Sequence, residues 1–172
     1  MGFACYAVTY VAVLTLLPAQ MGDMGGFIGV AMPLVSIAVS LTLGVWLLGR
    51  MRAVHLVQAG FVASIAAAFG LFAFWGGPTA VPFALAVAAS LGIVQGASFA
   101  ALAELNPAVE DRAKGAGAIA QLGNLGTTAG TPLLVWAMQK AGGAGLCLFL
   151  VGFSALGIAI HVLQARRRRF SG

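Results

Sequence analysis

Uncharged hydrogen-bonding side chains recur at helical spacing within apolar stretches of the chain. Gln121, Asn124 and Thr128 follow the i, i+3, i+7 spacing that places them on one face of a helix. Two further groups lie in similar stretches: Tyr6, Thr9 and Tyr10, and then Gln95 and Ser98. Such faces suit a neutral or amphipathic solute, so we expect them to line a substrate cavity. The alternative is hydrogen bonding between helices, at about 1 kcal/mol or less per bond.

Charged side chains are absent from the interior of these stretches. No Asp, Glu, Lys or Arg lies deep within any of them, and charges buried in a membrane usually mark proton or ion pathways. The chain therefore offers no evident carboxylate for proton coupling. His55 and His161 lie near predicted helix ends, where we expect an interfacial role. We expect neither a metal site nor a cofactor.

Two other chemistries have partial sequence support. An intramembrane serine protease of the rhomboid type needs a Ser on its fourth helix and a His on its sixth, as Ser98 and His161 stand here. Its motif is G-x-S-G, however, and this chain has Gly96-Ala97-Ser98-Phe99. Asn106-Pro107-Ala108 is similar to a water-channel triplet, but such channels need two triplets that meet mid-membrane. We expect a loop turn there and no enzymatic activity.

The composition predicts that the elements carrying these residues are membrane-spanning helices. Of 172 residues, 61% are hydrophobic and only 8% are charged, and the mean hydropathy is +1.02. So few charges cannot cover the surface of a soluble domain. The net charge of +5 could suggest nucleic acid as a partner, but a membrane protein needs the same charge asymmetry. We expect a lipid bilayer and no nucleic acid.

Five charge-free runs define the predicted helices. The run 56–103 is too long for one crossing of a core about 30 Å thick, and it is interrupted by the turn signal Trp75-Gly76-Gly77-Pro78-Thr79. The chain is thus predicted as a single six-helix transmembrane bundle over 1–172. The helices are expected at about 3–21, 27–48, 54–74, 80–103, 115–137 and 143–164.

Basic residues predict the orientation of these helices. Arg50 and Arg52, then Arg112 and Lys114, then 166–169 all fall on one side if the helices alternate, which leaves only Lys140 on the other. Cytoplasmic loops carry an excess of Lys and Arg. We expect a multi-pass protein of the plasma (inner) membrane with both termini in the cytoplasm.

Small residues predict close helix packing in the second half of the chain. Gly92 and Gly96 match the small-xxx-small pattern that lets helix backbones approach, as do Gly126 and Gly130. Packing is the expected role, and it is compatible with helices that slide during transport.

The stretch 102–132 resembles the tenth-to-eleventh helix region of major facilitator superfamily transporters. A charged loop with Arg112 precedes a helix with a G-xxx-G-P-like element, formed here by Gly126, Gly130 and Pro132 with Thr131 inserted. Three features favour the C-terminal half: the basic tail after the sixth helix, the absence of an embedded Arg in helix 4, and the weak match of the turn after helix 2 to G-xxx-D-R-x-G-R-R. In that turn Leu48 stands at the Asp position and Arg52 matches.

The resemblance implies an all-α membrane protein that is half of a major facilitator bundle, built as a 3+3 inverted repeat. Helices 1, 2, 4 and 5 would face the cavity, and helices 3 and 6 would face lipid. The implied function is transport of a small solute by alternating access, as one half of a secondary transporter. Its partner would be a second six-helix half, either a missing N-terminal half, a separate chain or a second copy. An accessory or structural membrane subunit is the alternative.

Overall fold

The computed structural model describes the backbone of residues 2–170 and the side chains of residues 2–166. This part of the chain contains helices and short connections and no strand. Helix α1 is Gly2–Leu16, α3 is Ala53–Ala73 and α4 is Val81–Leu105. Helix α2 runs as α-helix over Gly25–Val39, as π-helix over Ser40–Gly44 and again as α-helix over Val45–Leu48. Helix α5 is Val109–Phe170.

Four of these elements are long and apolar enough to cross a membrane. They are Gly22–Leu48, Ala53–Ala73, Pro78–Leu105 and Val109–Arg166. The prediction of an all-α chain with apolar helices of membrane length is confirmed for the described residues.

Helix α1 is shorter than the expected span of 3–21. It ends at Leu16 and is followed by two 3-10 turns, Pro18–Gln20 and Gly22–Met24. The physical reason is Pro18, which has no N–H for the helix and whose ring clashes with the carbonyl four residues earlier. Gly22 then adopts a φ of 51°, a left-handed conformation that glycine tolerates without steric cost.

Helix α5 reverses direction at Gly142, where φ is 53° and ψ is −131°. Contacts with α1 show the reversal. Gly123, 19 residues before Gly142, lies beside Phe3, and His161, 19 residues after it, lies against Gly2. We call residues 109–141 the first arm and residues 143–170 the second arm. The expected helices 115–137 and 143–164 fall within these two arms.

The set of contacts between helices stays the same when three pairs of helices exchange places. Helix α1 packs against both arms of α5, α4 packs against α2 and α3, α3 packs against the second arm, and α1 meets α4. Exchanging α1 with α4, α2 with the first arm, and α3 with the second arm reproduces the same set of neighbours. The helices thus form two groups of three with equivalent packing.

The buried core lies where α1 and α4 meet their neighbours. Phe61 of α3, Leu91 of α4, Leu134 of the first arm and Leu150 of the second arm are fully buried. Since every helix contributes to this contact region, the bundle positions the polar residues of α1, α4 and α5 relative to one another.

Candidate functional site

The first arm of α5 carries an exposed polar face. Gln121, Asn124 and Thr128 are all exposed, and the Thr128 hydroxyl donates to the carbonyl of Asn124 at 2.9 Å. A helix rises about 1.5 Å per residue, so Asn124 stands about 15 Å along the arm from Lys114. Leu125 beside it is 68% exposed, which shows that this side of the arm has no neighbour within the described chain.

Other exposed helix faces in the bundle are apolar. On α3 the large exposed side chains are Val62, Phe69 and Phe72, and on the second arm they are Leu148, Leu156 and Leu163. Such faces suit lipid. Moving an amide from water into hydrocarbon without a hydrogen-bond partner costs about 4–8 kcal/mol, so lipid would disfavour the face that carries Gln121 and Asn124.

Glycines on the opposite side of the first arm hold it against α1. A Cβ atom added at Gly126 would lie 2.7 Å from the Cβ of Ala7, and one added at Gly130 would meet the carbonyl of Val8. Successive helical residues advance by about 100°, so the glycines and the polar residues Asn124 and Thr128 lie on opposite faces. Close packing on α1 thereby turns the polar face outward.

Glycines also lie at the equivalent contact between α4 and α2. A Cβ atom at Gly96 would lie 2.5 Å from the hydroxyl oxygen of Ser40, and one at Gly92 would meet the carbonyl of Ser36. Pro132 of the predicted packing element lies inside α5 and is exposed. The four glycines therefore all stand where helix backbones approach closely.

Aromatic side chains of α1 form a row of neighbouring rings, which contacts residues of α4 and α2. The rings of Tyr6 and Tyr10 are stacked with centroids 5.1 Å apart, and Phe3 lies 5.2 Å from Tyr6 and 5.7 Å from Phe99 of α4. The Tyr10 hydroxyl and the Ser36 hydroxyl are hydrogen-bonded at 3.1 Å. Sequence reasoning missed Ser36, although Ser40 follows it at i+4 on α2.

Tyr6 differs from Tyr10 in how its hydroxyl is placed. Its side chain is only 3% exposed, and its hydroxyl has no hydrogen-bond partner among the described residues. Buried polar groups are nearly always satisfied. The Tyr6 hydroxyl is thus an exception among the buried polar groups of α1, since that of Thr9 is hydrogen-bonded.

The remaining cavity candidates bond within their own helices or stand apart. The buried hydroxyl of Thr9 donates to the carbonyls of Cys5 and Tyr6. The hydroxyl of Ser98 donates to the carbonyl of Val94 at 2.6 Å, and this bond is to backbone, with no imidazole involved. Gln95 is half-buried on α4. The structure thus brings together Tyr6, Tyr10 and Ser36, and it separates them from the exposed face of the first arm.

An ion pair joins the beginning of α3 to the end of α4. Arg52 Nε lies 2.9 Å from Glu104 Oε1, and the backbone N–H of Ala53 donates to Glu104 Oε2 at 2.9 Å. Glu104 therefore caps the first turn of α3, which otherwise leaves N–H groups unpaired. Sequence reasoning named Arg52 but not this carboxylate, since the two residues are 52 positions apart.

The other cations predicted to lie in loops make local contacts, but Arg112 and Lys114 lie within α5, which begins at Val109 and not at 115. Glu110 and Asp111 in its first turn favour this earlier start, since negative charge stabilises a helix N-terminus. Arg50 stacks on the ring of Trp46 with 3.6 Å from its guanidinium carbon to the ring centroid, and Lys114 pairs with Glu110 at 2.7 Å. Arg112 donates to the carbonyls of Asn106 and Pro107 at 3.0 and 2.6 Å. The Asn-Pro-Ala triplet is therefore a connection closed by Arg112, as the sequence predicts.

We expect the Arg52–Glu104 pair to contribute little by itself to stability. The side chains are 67% and 32% exposed, and exposed ion pairs contribute about 0.2–1 kcal/mol. Thermal unfolding of Arg52→Gln, Glu104→Gln and the double variant should give a coupling energy in that range. Glu104→Gln should be the more harmful single change, since it also weakens the cap on Ala53. A coupling energy near zero would show that the cap, and not the pair, fixes this contact.

Metal-ligating side chains are scattered among the described residues, where no group of three or more His, Cys, Asp or Glu could hold an ion. Cys5 and Cys147 are both buried and unpaired as thiols. Comparison of the chain with protein-family models, with curated proteins and with solved structures gives no match. The candidate site is thus defined by the arrangement of side chains within the bundle.

Proposed function

We propose that this chain is one half of a secondary transporter and moves a small solute across a membrane by alternating access. The observation that carries the proposal is the exposed polar face of the first arm, formed by Gln121, Asn124 and Thr128. Lipid disfavours such a face, whereas a water-filled solute pathway requires one. Uncharged amides and hydroxyls suit a neutral or amphipathic solute.

The equivalent packing of the two groups of three helices supports the architecture of a transporter half. Secondary transporters are commonly built from inverted repeats of three helices, with the substrate site near the membrane midplane. Equivalent packing of α1–α3 and of α4 with the two arms is what a 3+3 inverted repeat produces. This is also the arrangement expected from the resemblance to a major facilitator half.

A second six-helix half would cover the elements that are least buried. The apolar span of α2 is 22% buried, against 44% for α3 and 50% for α4, and within the first arm only Gly126, Gly130 and Leu134 are buried. Helix α2 and the first arm occupy equivalent positions in the two groups of three helices, so they would present equivalent surfaces to that second half. That half would be a missing N-terminal half, a separate chain or a second copy.

Basic side chains support an orientation with both termini in the cytoplasm of a cell with an inner membrane. Arg52 lies near His161 and Gln164 at one end of the bundle, and Arg166 follows at the end of the second arm. Lys140 lies beside the reversal at Gly142, at the other end. Cytoplasmic ends carry the excess of Lys and Arg.

Cysteine accessibility tests the proposed cavity. In a background with Cys5 and Cys147 replaced by alanine, Asn124→Cys and Gln121→Cys should react with a water-soluble thiol reagent in membranes. The matched controls are Leu148→Cys and Leu156→Cys on the second arm, which are equally uncovered in the bundle but face lipid. Because the thiolate is the reactive form and needs water, we expect labelling at 124 to be about tenfold faster than at 156.

Two outcomes would count against the transporter. Equal, slow labelling at all four positions in every state would show that water does not reach the polar face. Protection at 121 and 124 alone, together with a stably bound partner chain, would favour the accessory membrane subunit, since its amides would then bond protein.

A further inference from the structure

A cavity of about 230 Å³ with a mixed polar and apolar lining opens at the end of the bundle where α3 begins and where α4 and the second arm end. Its hydrogen-bonding side chains are Arg52, His55, His161 and Gln164, and its apolar lining includes Leu105. None of the residues that line it is acidic. The candidate transport face does not use this cavity.

Hydrogen-bond donors dominate the cavity. Arg52 uses only Nε for Glu104, which leaves both Nη groups as donors. The Nε2 atom of His161 is buried without a partner in the described chain and packs against Gly2, so Nδ1 is the ring nitrogen left for the cavity. Val54 also lines it, and the beginning of α3 supplies the positive end of the helix dipole. The N–H groups of Ala53 and His55 are already engaged by Glu104 and by the carbonyl of Arg52.

The carboxylate nearest to the cavity is already engaged. Glu104 accepts from Arg52 and from the N–H of Ala53, so it is held on the beginning of α3. With that carboxylate engaged, an anion with several acceptor oxygens can meet Arg52, His55 and Gln164 together.

We propose that this cavity binds the phosphate group of an anionic phospholipid from the adjacent leaflet. It lies at the ends of membrane-length helices, at the level of lipid headgroups, and Leu105 and Val54 offer apolar contact below the charge. Arg166 is exposed at the end of the second arm, and three further arginines follow it in sequence. Basic pockets between membrane helices bind such headgroups. The inference rests on the membrane character of the chain and is independent of transport.

Native mass spectrometry of the detergent-purified full chain, titrated with phosphatidylglycerol, tests this site. Arg52→Gln should weaken binding about tenfold, the loss expected for one charge-assisted contact. The matched control is Arg50→Gln, which removes the same charge from the same turn but changes a residue stacked on Trp46. Glu104→Gln breaks the ion pair and keeps the cation. Arg50→Gln should bind phosphatidylglycerol like the parent chain, Glu104→Gln should bind it at least as tightly because a negative charge beside the cavity is removed, and phosphatidylcholine should bind weakly to all.

A second variant keeps the test informative if Arg52→Gln folds poorly. Gln164→Glu places a carboxylate in the cavity without touching the ion pair, and it should also expel phosphatidylglycerol. Equal losses in Arg50→Gln and Arg52→Gln would overturn the site in favour of diffuse charge attraction. Glycerol phosphate that binds as tightly as the lipid would overturn the lipid as the source of the phosphate.

Discussion

Gly130→Val should prevent α1 from packing against the first arm and should strongly destabilise the bundle. The new side chain would meet the backbone carbonyl of Val8, and backbone cannot rotate away as a side-chain tip can. Overpacking of this kind typically costs about 1–3 kcal/mol and occasionally more. Since α1 also contacts the second arm, separation at Gly130 would disturb the whole group of helices around it.

Gly117→Val on the same arm is the matched control. Nothing lies within 4 Å of a Cβ atom at Gly117, and valine has a higher helix propensity than glycine. Thermal unfolding in detergent, followed by the monodisperse fraction on a sizing column, should therefore show a large loss for Gly130→Val and none for Gly117→Val. Equal behaviour of the two variants would mean that the glycine contact does not hold α1 in place.

Gly142→Ala should destabilise the reversal between the two arms by about 1–3 kcal/mol. Its φ of 53° with ψ of −131° is a conformation that residues with a Cβ atom rarely adopt. Nothing lies within 4 Å of a Cβ atom at this position, so the loss would come from the backbone alone and not from a clash.

Gly152→Ala is the control, for which we expect a change in stability of the opposite sign in the same unfolding measurement. Gly152 also has open space around its Cβ position, but it lies inside the helical second arm. Alanine there should leave stability unchanged or raise it by about 1 kcal/mol, because alanine is the better helix former. If Gly142→Ala were as stable as Gly152→Ala, the reversal would not depend on a glycine conformation.

Several features of the fold follow from local sequence signals. The runs without charge predict apolar helices, and Pro18, Gly22 and Gly142 stand where helices end or reverse. The Gln121, Asn124 and Thr128 spacing places these residues on one face. The position of Gly126 and Gly130 about half a turn away could also have predicted that this face points away from α1.

Other features of the candidate site were beyond sequence reasoning. Thr9 and Ser98 share helices with Tyr6 and Gln95, but both hydroxyls bond carbonyls of their own helix, a local option that competes with any ligand role. The bond of Tyr10 to Ser36 and the capping of α3 by Glu104 depend on how distant helices are paired. The π-helical turn of α2, where Ser40 meets Gly96, gave no pattern in the sequence.

That the chain is helical and apolar enough for a membrane, and which polar residues share a face, could be predicted from residue order alone. These properties depend on composition and on the 3.6-residue period, which are local. Which faces are covered became clear from the packing of the helices: the faces of α1 and α4 are enclosed, while the amides of the first arm remain exposed. Helix pairing decides this, because burial depends on the neighbour that each face meets.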